Sequence, residues 1–139
     1  MTTLPQSARD LIESGRLAHC VTVNADGSPQ LSAVWVGLDD DEVVMAHIPR
    51  NAKVRNLQRD PRVVLGLEGD GRNEIGMQHH LVVHGTATVT EGGAPELLQR
   101  LVVVYGGPDA TFPLPPDPPP GYVVRIRVDR IGGFGPWTD

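Results

Sequence analysis

The sequence predicts a mainly β fold with short helices (α+β), built as a six-stranded antiparallel sheet. Three observations predict it. Six stretches rich in apolar and β-branched residues recur along the chain, and short turn-forming segments separate most of them. The longest stretch, Gln78 to Thr90, alternates cleanly: Leu81, Val83, Gly85, Ala87 and Val89 face one way, and Val82, His84, Thr86, Thr88 and Thr90 the other. Helical spacing is confined to three short windows. Strands at this spacing suggest a sheet closing into a small barrel. A length of 139 residues fits one domain, residues 1–139, with a real core.

The elements follow in order. Leu4, Ala8, Leu11 and Ile12 form a helical stripe within residues 1–15, ending near Gly15. Leu17 to Val23 is a strand, and Asn24-Ala-Asp-Gly27 a hairpin turn with Gly where a positive φ is needed. Gln30 to Leu38 is the second strand, Asp39 to Asp41 a turn, and Glu42 to His47 the third strand. Asn51 caps a helix that stops at Pro61. Arg62 to Leu67 is the fourth strand, residues 69–76 a Gly-rich loop, and Gln78 to Thr90 the fifth strand. Pro95 suits the first position of a helix with the stripe Leu97, Leu98, Leu101, Val104 and Tyr105, which stops at Gly106. Residues 113–120 hold six prolines. They form an extended segment poor in hydrogen bonds, either a rigid connector or a proline-rich docking ligand. Tyr122 to Ile131 is the last strand, and residues 132–139 form a tail.

Composition narrows the function. A net charge of −5 argues against a general nucleic-acid binder. Yet Arg50, Lys53, Arg55, Arg59 and Arg62 crowd one short region, as a local anion site would. Cys20 is the only cysteine and lies in an apolar strand pattern, where it is expected in the core. No signal-like N-terminus and no apolar run of membrane-spanning length occurs, so a cytoplasmic protein is expected.

Metal and nucleophile chemistry find little support. His80 and His84 sit four apart, but in a strand that is about 13 Å. No HExxH, Cys pair or GxSxG elbow is present, and no GxGxxG or Walker loop follows a strand, so no metal site is expected.

What remains is the start of the helix after the third strand. Lys53 falls in the first turn, where cations are disfavoured unless an anion sits on the helix end. A solvated basic helix is the alternative. If the second and third strands pair, Val34 and Trp35 come close to Met45–His47, and a flat aromatic ligand could lie across them. Trp35 could equally be core. Trp137 near the C-terminus must pack on its own domain, on a partner subunit or on a ligand. His80 could donate a hydrogen bond to such a ligand, or be solvated with His79 at the strand start. Arg125 and Arg127 either pair with carboxylates or extend the anion surface.

Three segments carry a likeness to a known family: Gly27-Ser-Pro-Gln-Leu-Ser-Ala-Val-Trp-Val36, the run from Arg50 through Lys53 to Val63, and His80-Leu-Val-Val-His-Gly85. With the Gly-Pro-Trp137 ending, their order resembles flavin- and deazaflavin-dependent oxidoreductases of the pyridoxamine-phosphate-oxidase-like split-barrel superfamily. The resemblance implies a six-stranded split β-barrel of the FMN-binding type. It implies a cofactor phosphate held by Arg50, Asn51 and Lys53, a ribityl chain passing His47 and Ile48, and a flavin ring lined by Ser32, Val34 and Trp35. His80 stands where relatives often place an amide against the ring. The family forms homodimers with a cofactor site at each end of the interface, where Trp137 could reach the partner. Members with FMN commonly show Ser-Arg-Lys at the helix start, whereas this chain has Asn51-Ala-Lys53. That difference tilts the resemblance toward the branch using coenzyme F420, which reduces small unsaturated or conjugated substrates. Arg55, Arg59 and Arg62 could then serve its anionic tail. FMN and a non-catalytic carrier or sensor role are the alternatives.

Overall fold

A computed structural model describes residues 3–138. Residues 1, 2 and 139, at the ends of the expected first-helix and tail segments, lie outside the described residues. The elements run α1 (Gln6–Ile12), β1 (Ala18–Val23), β2 (Pro29–Val34), β3 (Gly37–Asp39), β4 (Glu42–His47), α2 (Ala52–Arg59), β5 (Arg62–Arg72), β6 (Gln78–Glu91), α3 (Ala94–Gly106) and β7 (Tyr122–Phe134).

The described residues form one antiparallel sheet of seven strands, in the order β2-β1-β5-β6-β7-β4-β3. The expected six-stranded, closing sheet is therefore corrected on both counts. The predicted second strand, Gln30 to Leu38, is two strands. Its first part pairs with β1 and its last residues pair with β4, at the opposite edge of the sheet. The break falls at Trp35 and Val36. The backbone N–H of Val36 donates to the Tyr105 hydroxyl at 2.9 Å, and the Trp35 ring stacks on Tyr105. A side chain from α3 thus takes the donor that a continuous ladder would use, and β2 and β3 remain separate edges.

The core lies on both sides of β4. Val43 and Met45 join a cluster with Cys20, Leu65, Leu81 and Ile126, all buried. Val44 and Ala46 join a second cluster with Leu97, Leu98 and Leu101 of α3. A strand covered on both faces explains its unbroken apolar run. On α3 the buried stripe is Ala94, Leu97, Leu98, Leu101 and Val102, while Val104 is 45% exposed. Val104 sits at the margin of that stripe, which centres on Leu98, Leu101 and Tyr105.

Helix α2 is fastened to β1 by Asn56, a buried polar residue. Its Nδ2 donates to Thr22 Oγ1 (3.0 Å) and Asn24 Oδ1 (2.9 Å), and its Oδ1 accepts from Arg59 (3.0 Å). Replacing it with Leu removes all three bonds, leaving Thr22 Oγ1 its bond to Gln30 and Arg59 its bond to the Val23 carbonyl. Asn56→Leu is expected to lower the urea unfolding free energy by about 2 kcal/mol, at unchanged m-value.

Candidate functional site

Strand β4 ends at His47, and five residues later the chain enters α2. Asn51 caps that helix: its Oδ1 accepts from the Val54 N–H at 3.1 Å. The cap leaves the remaining first-turn N–H groups unpaired, and Lys53 stands among them. Arg50 is exposed and donates to Gln58 Oε1 at 2.7 Å, while Arg55 donates to the Arg50 carbonyl at 2.6 Å.

Lys53 is half-buried and no carboxylate pairs with it among the described residues. Burial lowers its pKa, opposed by the nearby Cys20 thiol. Burial in turn pushes the Cys20 thiol up to about 11, against the pull of Lys53, so Cys20 is an unreactive neutral thiol. The pKa of His47 is pushed down to about 4, first by burial and second by the Lys53 charge. His47 is therefore a neutral imidazole near neutral pH.

Two buried polar atoms here have no partner among the described residues, Ser32 Oγ and His47 Nε2. Ser32 lies directly opposite Cys20 in the β1–β2 register and shares its face of the sheet. Ser32, Cys20, Lys53 and His47 thus gather where β1, β2, β4 and α2 meet. Buried polar atoms without partners cost free energy, and a half-buried unpaired ammonium costs more. A ligand with an anionic group and hydrogen-bonding atoms would satisfy all three.

Two adjoining cavities open at this place. One, of about 240 Å³, is lined by Leu17, Val34, Trp35, His47 and Lys53 among others. The second, of about 410 Å³, includes Ile48, Asn51 and Leu114. Both share Ala46, His47, Leu98 and Phe112.

The structure thus brings Val34, Trp35, His47, Ile48, Asn51 and Lys53 together, with Ser32 and Arg50 beside them. The Trp35 indole is committed within the chain, stacked on Tyr105 (5.1 Å between centroids) and edge-on to Phe112 (6.0 Å). His80 and Trp137 line neither cavity of their own chain. His80 pairs with Glu68 and Phe134 in the sheet, its ring 5.5 Å from that of Phe134. Trp137 is buried in the core of its own chain, its ring 6.2 Å from that of His79. Its Nε1 has no partner among the described residues. Arg125 and Arg127, left open by the sequence, pair with Asp39 and Asp129. Arg62 pairs with Asp60.

Sequence reasoning missed Leu17, Leu98 and Phe112. The one available signal was Phe112, a lone aromatic directly before the proline run. Among the described residues no three His, Cys, Asp or Glu side chains cluster as metal ligands. No described helix is long and apolar enough to cross a membrane.

The family model for pyridoxamine 5'-phosphate oxidase matches residues 4–134. No curated protein matches the sequence. Among solved structures, an F420 reductase is 24% identical, with a TM-score of 0.74, covering 93% of this chain and 98% of that one. The conserved hypothetical protein Rv2991 from Mycobacterium tuberculosis is 25% identical, with a TM-score of 0.70 and coverages of 96% and 86%. HupZ from Group A Streptococcus is 21% identical, with a TM-score of 0.67, covering 97% of each chain. These likenesses establish a shared fold.

Proposed function

The chain belongs to the pyridoxamine 5'-phosphate oxidase family, and from that premise we propose that it is an oxidoreductase that binds coenzyme F420, acting on a small unsaturated or conjugated substrate. The observation that carries this is the convergence of Lys53, without a carboxylate partner, and the unpartnered Ser32 Oγ and His47 Nε2 at the start of a capped helix. These groups fit a flavin-like cofactor. Lys53 and the first-turn N–H groups of α2 would hold its phosphate, with Arg50 and Asn51 beside them. Ser32 and His47 would hydrogen-bond its polyol and ring, and the backbone at Val34 and Trp35 would border the ring. When bound, such a cofactor supplies hydride transfer, and the protein supplies binding, orientation and electrostatics.

The choice of F420 over FMN rests on charge. Arg50 and Arg55 of the α2 region have no carboxylate partner among the described residues, whereas the Arg59 charge acts on Asp60. Arg62, paired with Asp60, is not part of that surplus. A cofactor more anionic than a mononucleotide matches the excess. The protein should therefore bind F420 more tightly than FMN at low ionic strength, with the gap narrowing as salt is added. Lys53→Ala should weaken cofactor binding about tenfold to a hundredfold in fluorescence titrations. An unchanged affinity would remove the phosphate assignment.

The same proposal includes a homodimer. Leu31, 64% exposed, lies in register with Val21, and Val21 with Val64. Gly66, Val82 and Gly132 form the neighbouring row, and Phe134, 46% exposed, lies beside His80. A partly apolar sheet face of this kind suits a second copy of the chain. Leu31→Glu should shift the protein toward monomer in analytical ultracentrifugation. A monomeric wild type would end the dimer proposal.

A further inference from the structure

A further cavity, of about 410 Å³, opens on the outer face of β1, β5, β6 and β7. None of its lining residues lines either cavity of the Lys53 site. Strand alternation separates the two places: on β1, Cys20 faces the core, while Val21 and Val23 face this cavity. Its volume is within the range of small-molecule sites.

The cavity forms where the β6–β7 ladder slips by one residue. His84 stands opposite Arg130 and Gly85 opposite Val128, so Asp129 is an extra residue on β7. Bulges concentrate at sheet edges and beside functional sites, where they re-aim side chains. Here β6 and β7 are interior strands. Val128 is fully buried and Asp129 exposed, so strict alternation would turn Arg130 into the core. The extra residue instead keeps Arg130 on the outer face beside His84, and Ile131 takes the inward position.

The charges around the cavity do not cancel. Arg62 is held by Asp60 at 2.7 Å. Asp129 accepts from Thr86 at 2.7 Å and from Arg127 at 3.0 Å. Arg130 makes no ion pair among the described residues. His84, directly across the ladder, adds a ring N–H donor. Val21, Val23 and Val64 supply the apolar part of the lining.

We infer that this cavity is a binding site for a monocarboxylate with a compact apolar body. Arg130 takes the carboxylate in two parallel N–H···O bonds, His84 donates a third, and the valines cover the apolar body. One uncompensated cation matches a single negative charge, which favours a carboxylate over a dianionic phosphate. The inference goes beyond the proposed function and rests on no part of it. Val21 and Val64 also belong to the face proposed for a second copy, so the test includes the variant that separates the copies.

The full chain is titrated by isothermal calorimetry with 2-naphthoate and with its uncharged counterpart, 2-naphthylmethanol. Naphthoate should bind once per chain, and the alcohol at least about tenfold more weakly. Arg130→Gln should weaken naphthoate about tenfold or more, and Arg130→Lys should recover part of the loss. Arg130 is exposed and outside any ion pair, so both variants should keep the wild-type urea midpoint. Lys53→Ala should leave naphthoate binding unchanged. No saturable binding, equal affinities for the acid and the alcohol, or an affinity unchanged in Arg130→Gln would overturn the site. So would a loss in Lys53→Ala but not in Arg130→Gln, which would put the acid in the cofactor cavity. Naphthoate binding seen only in Leu31→Glu would mean that a second copy covers the cavity, and would equally overturn it. Naphthoate binding that follows the Arg130 series in a chain that binds neither F420 nor FMN would uphold the site and defeat the cofactor reading alone.

Discussion

Gly121→Ala is expected to destabilise the protein by about 3 kcal/mol and to weaken cofactor binding with it. Gly121 has φ +60°, and a Cβ there would meet Ala94 Cβ at 2.5 Å, the His47 carbonyl oxygen at 2.6 Å and Ile48 Cα at 3.1 Å. The left-handed conformation alone costs an alanine about 1–2 kcal/mol. Overpacking against two backbones and a buried methyl adds about 1–3 kcal/mol. None of the three neighbours is the free end of a flexible side chain. Relief must therefore come from moving the end of β4 or the start of α3, and the first of these carries His47. Gly27→Ala is the control. Gly27 has a similar φ of +88° but nothing within 4 Å, so its cost should stay near 1 kcal/mol. Urea unfolding of both variants measures the difference. Equal losses would mean that the β4–α3 junction yields freely and that His47 is not rigidly placed.

The parts of this molecule that were legible in the sequence are those decided by near neighbours in the chain. The alternation from Leu81 to Val89 matches the burial of β6, because period-two patterning needs only one covered face. The α2 cap is similarly local: Asn51 reaches the Val54 N–H three residues on. The division of the second strand was not legible. Residues 30–38 look continuous, and what breaks them is a hydroxyl from Tyr105, 69 residues further along the chain. The site divides along the same line. His47, Asn51 and Lys53 follow from a strand end and a helix start. Phe112 and Leu98 enter only because α3 packs across β4, a contact between distant segments that no periodicity encodes. His80 and Trp137 were candidates by residue type and position as well as by family likeness, and within one chain they stand away from the cavities. Likeness in pattern carries no information on which chain completes a site.

Stability should fall as the pH is lowered from about 6.5 to about 4, through His47. In the native protein burial, then the Lys53 charge, pushes its pKa down to about 4 from an ordinary value of 6.5. Between these values the unfolded chain takes up a proton that the folded chain refuses. The folded state is favoured fully above this window and loses ground through it, by an amount on the order of 3 kcal/mol at most. Below about pH 4 both states are protonated and the slope from this residue ends. The carboxylates act in a lower window. Asp60 is held down to about 2, chiefly by its hydrogen bonds from Arg62. Asp39 is also held below its ordinary value, by Arg125 and Arg100 against an opposing cost of burial. Their contribution is lost only as the pH falls below the usual carboxylate range. The two causes therefore separate on the pH axis. Thermal or urea unfolding of the wild type should show the decline above pH 4, and His47→Phe, which keeps a flat apolar ring in place, should flatten it. A decline of equal size in His47→Phe would mean that His47 carries its proton in the folded chain like any exposed imidazole, and its role as a neutral hydrogen-bonding group at the junction of the two cavities would fall with it.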